Sequence, residues 1–322
     1  TGPDPLLFSE SLPLRPTLYP LGCPLVIETN APSVLDAADL LWSKWPELFP
    51  GRVARLRVSV AATAAATPPQ PTLPRGYDHL IVTSHGPENH SVCDLDRGLA
   101  FACLTQDVAR NIEYLNHYFL EPLVCFMLGA SHFVLLHAAA VALNGAAILL
   151  CGDSGSGKSC FSYACARRGW TFLSGDASQL VRDASPLRIV GRPYSVRFRE
   201  TARHLFPELS GFPLHRGRNG KLDIDAEPLK LGLGIATDAE IAAIIFLDRE
   251  PSANTGLTPV SGDEAMAYFR QSLLFGNEEL RTKHIAALQR LQTLPKLRLR
   301  YSDFDSAERQ LRAAIESPVG VV

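Results

Sequence analysis

Very little in this sequence points to a metal framework, a disulfide scaffold or a charged binding surface. The seven cysteines, at positions 23, 93, 103, 125, 151, 160 and 165, are odd in number and include no Cys-x-x-Cys pair. That pattern excludes a zinc ribbon and suits a reducing compartment better than a disulfide framework. Charge of neither sign dominates: Lys and Arg total 31 against 33 Asp and Glu, a formal net of -2. Nothing overall draws such a chain to nucleic acid or to an anionic membrane. The residues Thr1-Gly2-Pro3-Asp4-Pro5 lack a basic segment followed by an apolar run, so no signal peptide is expected and a cytoplasmic location is. The most apolar stretch, Phe133 to Cys151, has about the length of a membrane span. It is interrupted by His137 and by Asn144-Gly145, and Asn-Gly between apolar runs signals a hairpin. Two buried strands are expected there. A Gly-x-Ser-x-Gly elbow, sustained heptads and internal repeats are also missing.

What is present is a globular composition of 322 residues, 46% hydrophobic and 20% charged, enough for one large domain or two ordinary ones. Residues 1–130 read as a mixed α+β module and 131–322 as an α/β domain. In the first part, Pro24–Thr29 and Arg52–Ala61 read as strands and Ser33–Trp45 as an amphipathic helix with Ser33 as its N-cap. The Ala/Thr/Pro-rich run Ala62–Pro74 reads as an exposed loop. His79–Ser84 and the runs around Cys93 and Phe101 suggest a small antiparallel sheet. From Gln106 to Leu128 apolar residues recur at helical intervals, with Pro122 expected to kink or divide the helix. Tyr114, Tyr118 and Phe119 form a stripe on it that reads as core packing.

The second part alternates strands (Phe133–Leu143, Ala146–Cys151, Trp170–Ser174, Gln179–Arg182, Leu187–Val190, Ile241–Leu247) with helices (Lys158–Arg168, Ser261–Leu273, Glu278–Leu291, Ser306–Ile315). Between the second strand and the first helix stands Gly152-Asp153-Ser154-Gly155-Ser156-Gly157-Lys158-Ser159, which meets the pattern G-x-x-x-x-G-K-[ST]. The string alone occurs by chance, but a strand running in and a helix running out are the context that gives it meaning. Its glycines let backbone N–H groups curl around phosphate oxygens, with the helix N-terminus aimed at the same charge. Lys158 would face the β- and γ-phosphates and the Ser159 hydroxyl would face magnesium.

Asp176 follows the strand ending at Ser174-Gly175, the place of a Walker-B acid serving the metal or the attacking group, although Gly-Asp is also an ordinary turn pair. His137, between apolar neighbours, has the bland reading of a satisfied core histidine. Its strand is the hairpin partner of the strand that enters the glycine-rich loop.

The segments Leu136-His137-Ala138-Ala139-Ala140-Val141, Gly152 to Ser159, and Arg168-Gly169-Trp170-Thr171-Phe172-Leu173-Ser174-Gly175-Asp176 together resemble the catalytic core of HPr kinase/phosphorylase. Still closer in pattern are the HPr-kinase-like proteins that include serine kinases of lasso-peptide precursors. His137 precedes Lys158 by twenty-one residues and Asp176 follows it by eighteen, the family's register. The resemblance covers about Phe133 to Ser317, including Leu297–Asp305 as the closing strand and helix start. It implies an α/β P-loop kinase domain of the HPr kinase/carboxykinase type behind an N-terminal mixed α+β module. It further implies ATP and Mg2+ as cofactors, Asp176 as general base toward a hydroxyl, and His137 at the phosphate region.

Three departures stand out. Gly175 occupies the place where the family often has a first acid, so one carboxylate must serve both metal and hydroxyl, or another acid must help. Cys160, counted with the loop as a nucleotide-binding position, stands where Thr or Glu is usual. The family's segment for recognising HPr is not recognisable in Gly191–Glu200, so HPr itself is not expected as the substrate.

Secondary candidates are Arg192, Arg197 and Arg199, which concentrate positive charge where the family places its substrate, and Glu200, which would approach magnesium. The alternative reading of that segment is a strand with one solvated charged face. His215–Lys221 is a basic, glycine-bearing loop in which Arg218 would stabilise transition-state charge, or simply a solvated loop. Asp248, ending Ile244-Ile245-Phe246-Leu247, resembles a second Walker-B ending and is expected to be structural.

The expected function is an ATP-dependent kinase acting on a hydroxyl, with a serine of a peptide or protein as acceptor. No nucleic-acid or membrane partner is expected, and a homo-oligomer is left open. A carboxykinase for a small enol shares the fold but needs further metal ligands that the sequence does not display. A nucleotide-binding regulatory protein with decayed chemistry is the reading from a different class.

Overall fold

The computed structural model describes residues 11–51, 53–61, 70–216, 220–252, 254–272 and 276–316. The chain divides into two compact units, Thr1–Phe133 with Leu274–Lys283 and Val134–Leu273 with His284–Val322.

The first unit is built on a seven-stranded mixed sheet. Its strands are β1 (Thr17–Leu18), β2 (Leu25–Thr29), β3 (Ala54–Ala61), β4 (Arg75–Tyr77), β5 (Leu80–Ser84), β6 (His90–Asp94) and β7 (Leu99–Thr105), in the order β1-β2-β3-β7-β6-β5-β4. The small antiparallel sheet expected from the sequence is one side of this larger one. Strands β2, β3 and β7 run parallel, joined by connections that a local reading cannot pair.

Helix α1 (Pro32–Trp42) crosses from β2 and buries Val34, Ala37, Ala38 and Trp42. It starts one residue before the expected cap, Ser33. Proline at the first helical position has no N–H to leave unsatisfied, and Ala31 takes the cap position.

The expected long helix from Gln106 is instead a series: α2 (Gln106–Arg110), α3 (Ile112–Leu115), a π-turn (Asn116–Leu120) and α4 (Glu121–Ser131). Asn111 caps α3 by accepting from the Tyr114 N–H. Glu121 donates to the Asn116 carbonyl, an i→i+5 bond, immediately before Pro122, which has no N–H to continue the regular ladder. Of the predicted loop Ala62–Pro74, residues 62–69 lie outside the described residues, and Gln70–Pro74 are exposed.

The second unit carries a nine-stranded mixed sheet. The strands are β8 (Phe133–Leu136), β9 (Ala139–Leu143), β10 (Ala146–Cys151), β11 (Thr171–Ser174), β12 (Ser178–Val181), β13 (Arg188–Val190), β17 (Asp238–Arg249), β18 (Gly256–Pro259) and β19 (Lys296–Tyr301). A separate three-stranded sheet contains β14 (Val196–Arg199), β15 (Leu214–Arg216) and β16 (Leu222–Ala226). The helices are α5 (Lys158–Ala166), α6 (Gly262–Arg270) and α8 (Phe304–Glu316), with α7 (Glu278–Arg290) divided between the two units at Lys283/His284.

Asn144-Gly145 turns β9 into β10 as its residue types dictate. Both residues have positive φ, 52° and 84°, and Leu143 pairs with Ala146 across the turn. Strand β10 then lies parallel to β17, and β17 parallel to β19.

Strand β10 and the Ile241–Leu247 stretch of β17 are apolar at every position because both faces are covered there. On one face Leu149, Ile244 and Phe246 pack against Met266 and Phe269 of α6 and Leu288 of α7. On the other, Ile148, Leu150 and Ile245 meet Phe161 and Cys165 of α5 and Leu311 of α8. The outer side of α5 presents Tyr163 and Ala164 to Val196, Phe198 and Ile224 of the three-stranded sheet. Helix α5 is therefore gripped on two sides, which fixes the direction in which its N-terminus points.

The expected single strand Phe133–Leu143 is two strands. The chain leaves the sheet at His137-Ala138, and β8 lies beside β12 on the far side from β9. His137 therefore lies in a break between strands.

Candidate active site

The connection from Cys151 to Lys158 has a backbone that only its own residue types permit. Gly152 (φ 146°) lies so close to Ser156 that a Cβ on it would come within 2.6 Å of the Ser156 Oγ. Gly157 (φ 93°) caps α5 in the left-handed region, and its carbonyl accepts the Phe161 N–H at 2.7 Å. Lys158 and Ser159 are thus the first two residues of α5, at the positive end of its dipole.

Lys158 is only 5% exposed. Its Nζ donates to the carbonyls of Gly152 (2.7 Å) and Asp153 (3.1 Å). Burial pushes its pKa down, while the Asp176 carboxylate leads the groups that hold it up. The Ser156 Oγ is buried with no partner among the described residues. Inside the loop there is thus an ammonium held by backbone carbonyls and a hydroxyl with nothing to bond.

Ser159 donates its hydroxyl to the Gly175 carbonyl at 2.9 Å. The next residue, Asp176, faces His137, with Oδ1 3.4 Å from Nδ1. The structure therefore brings together Lys158, Ser159, Asp176 and His137.

Two serines hold the turns that carry the last pair. Ser178 donates to the Ala138 carbonyl at 2.8 Å, so its hydroxyl oxygen is left to accept from Ser174. Both serines are essentially fully buried.

Gly175 is required by packing. A Cβ there would stand 2.8 Å from the Val196 Cγ2, closer than real contacts allow. The position where the sequence resemblance expects a first acid is therefore occupied by the wall of β14.

The remaining candidates are distributed differently. Glu200 is exposed at the start of a 3-10 turn after β14, and it forms no hydrogen bond or ion pair with Lys158, Ser159 or Asp176 among the described residues. Arg218 lies outside the described residues. Cys160 is half-buried on α5, and burial pushes its thiol up to about 11.

The positive charge of the Arg192–Arg199 segment is largely balanced. Arg197 is bidentate to Asp225 (2.8 and 3.1 Å), which also meets His215 at 3.3 Å. Arg199 pairs with the buried Asp223 at 2.7 Å. Asp248 stands in register with Arg300 across the β17–β19 ladder and pairs with its Nε at 3.5 Å, the structural role expected of it.

Sequence reasoning missed Tyr268 of α6, whose hydroxyl meets both the glycine-rich loop and the His137 segment. No local motif surrounds it, and nothing short of the fold could have found it.

Among the described residues, no group of three or more His, Cys, Asp or Glu is arranged to hold a metal, and no helix is long and apolar enough to cross a membrane. No family model matches this chain, and no curated protein matches it. Among solved structures it is similar to the HPr(Ser) kinase/phosphatase from Coxiella burnetii, at 13% identity with a TM-score of 0.30, over 57% of this chain and 99% of that one. That likeness is too distant to carry any residue-level assignment.

Proposed function

We propose that this chain is an ATP-dependent kinase that transfers a γ-phosphate to a hydroxyl group, a serine of a peptide or protein being the acceptor. The observation that carries the reading is the convergence of Ser159, Asp176 and His137 at the N-terminus of α5, beside Lys158.

The residues fit a nucleotide and a divalent cation. The loop supplies backbone N–H groups and a helix N-terminus for phosphate oxygens. Ser156 Oγ, buried with no partner among the described residues, and the Lys158 Nζ, which donates to the Gly152 and Asp153 carbonyls, belong to the same loop. Ser159 and Asp176 would hold magnesium, an ion that typically takes one or two protein oxygens and completes its shell with phosphate and water. Bound there, magnesium supplies the positive charge that offsets the β- and γ-phosphate oxygens.

The chain's own residues then have divided tasks. Lys158 neutralises charge on the transferred group. Asp176 accepts the proton of the acceptor hydroxyl. His137, within reach of Asp176, orients that carboxylate and lies at the edge of the phosphate region. Transfer of this kind needs little beyond positioning and charge, so the set is sufficient. Glu200 as a further magnesium ligand and Arg218 as the cation for transition-state charge complete the reading. Residues 131–322 would be the kinase domain and residues 1–130 a module that holds the acceptor along its length, with a strand edge of its sheet as one means.

The test is incubation of the protein with magnesium-ATP and serine-containing peptides encoded near its gene, read by intact mass. One added phosphoryl group on a peptide serine is the expected result. Phosphorylation of a free sugar or amino acid instead would make this a small-molecule kinase, and no ATP binding would remove the kinase reading.

A further inference from the structure

The break at His137-Ala138 leaves backbone groups without sheet partners, and so does the peptide at which β10 ends. His137 is exposed and Gly152 half-buried, yet their N–H and C=O groups, having lost ladder partners, take side-chain partners instead. One residue supplies a partner in both places. The Tyr268 hydroxyl accepts from the Gly152 N–H at 3.1 Å and lies within hydrogen-bond distance of two carbonyls, His137 O and Gly152 O. It has one proton to give, and the closer carbonyl is that of His137. Four positions after Tyr268, the Ser272 Oγ accepts from the His137 N–H at 3.4 Å.

We infer that Tyr268 is a positioning residue, whose hydroxyl pins the first peptide of the glycine-rich loop to the His137 segment and so sets the distance between the phosphate groove and the His137–Asp176 pair. The inference rests on the kinase reading for its consequence in catalysis, but not for the clamp itself.

The ring is immobilised for this task. It meets Phe246 at 5.4 Å and Phe269 at 5.5 Å, both edge-on, at 82° and 75°. Those contacts are worth having without the hydroxyl, since edge-to-face pairs stabilise by themselves. Burial also keeps the phenol above its ordinary pKa, so at any working pH it retains the proton it donates. Tyr268→Phe therefore removes the clamp and keeps the packing.

Two measurements on the full chain decide the matter. Without nucleotide, amide hydrogen exchange at Gly152 should quicken by on the order of tenfold in Tyr268→Phe, the scale of one lost hydrogen bond. With magnesium-ATP and water as acceptor, the variant's turnover should fall about tenfold. In His137→Ala the same substitution should cost much less, because the group it positions is gone; coupled residues depart from additivity in this way.

Unchanged exchange at Gly152 would overturn the clamp. Faster exchange with unchanged turnover, or with strictly additive losses, would overturn the positioning role and leave Tyr268 as a packing residue. If the unsubstituted protein failed to bind magnesium-ATP at all, the kinase reading would fall, and the exchange result would still decide whether the hydroxyl holds the loop.

Discussion

Ser159 gives its hydroxyl proton to the carbonyl of Gly175, linking the first turn of α5 to the end of β11. This bond sets Asp176 beside the glycine-rich loop, because Asp176 is the next residue along the chain. Because the hydroxyl uses its proton in this bond, its oxygen lone pairs remain available for a cation.

Lys158→Ala should abolish binding of magnesium-ATP. In this structure the side chain is buried and bonded to two carbonyls of its own loop, so the substitution removes a charge and also loosens Gly152 and Asp153. Lys158→Met fills the space without the charge and separates the two effects. Isothermal titration should find both variants unable to bind. Binding retained by the methionine variant would show that the ammonium is not a phosphate ligand.

Asp176→Asn keeps the size of the side chain and removes its charge and its capacity to take a proton. Loss of a general base typically lowers rate ~10²–10⁴-fold. Steady-state phosphoryl transfer should fall by that order while nucleotide affinity changes far less. Near-normal transfer would eliminate Asp176 as the base and turn attention to Glu200.

Much of this site was legible in the sequence because it is local. The pattern from Gly152 to Ser159 needs only a strand before it and a helix after it, and the hairpin at Asn144-Gly145 is written in two residues. The contiguous apolar run Ala146–Cys151 gave β10 for the same reason, whereas the run Phe133–Leu143 concealed the break that separates β8 from β9. What could not be read depends on distant packing. The seven-stranded sheet joins β3 to β7 across β4, β5 and β6, and no pattern within β3 specifies that partner. The strand break at His137 is held by Tyr268 and Ser178, far along the chain. Arg197 and Arg199 leave two readings open, a substrate-side basic cluster or a solvated strand face, until β16 brings Asp225 and Asp223 opposite them.

Cys160 follows the two residues that open α5, yet its thiol is held neutral. With its pKa pushed up to about 11 by burial, only a very small thiolate fraction exists at pH 8, and the thiolate is the reactive form. Alkylation at pH 8 should be slow at Cys160 in the folded protein and fast after denaturation, followed by peptide mass mapping. Cys160→Ala should leave magnesium-ATP affinity within about threefold, a change below ~1 kcal/mol. Rapid modification in the folded state, blocked by nucleotide, would instead make this thiol part of the site.

Gly175 is where this chain departs most visibly from its resemblance, and the cause is steric, so it can be tested without any substrate. A methyl group at 175 would stand 2.8 Å from the Val196 Cγ2 and at ordinary contact distance, 3.7 Å, from Ser159. Val196 is 1% exposed and packed in the core between α5 and the three-stranded sheet, so it has little room to retreat. Overpacking of this kind typically costs ~1–3 kcal/mol. Gly175→Ala should therefore lower unfolding stability by about that amount in urea titration. Val196→Ala alone should also destabilise, because it opens a cavity. Combined, the two should cost clearly less than the sum of their separate effects, since each relieves the other's defect and contacting residues couple in this way. Additive losses would show that the approach of β14 does not exclude a side chain at 175. The missing first acid would then need an explanation in chemistry, with Asp176 alone selected to serve both the cation and the hydroxyl.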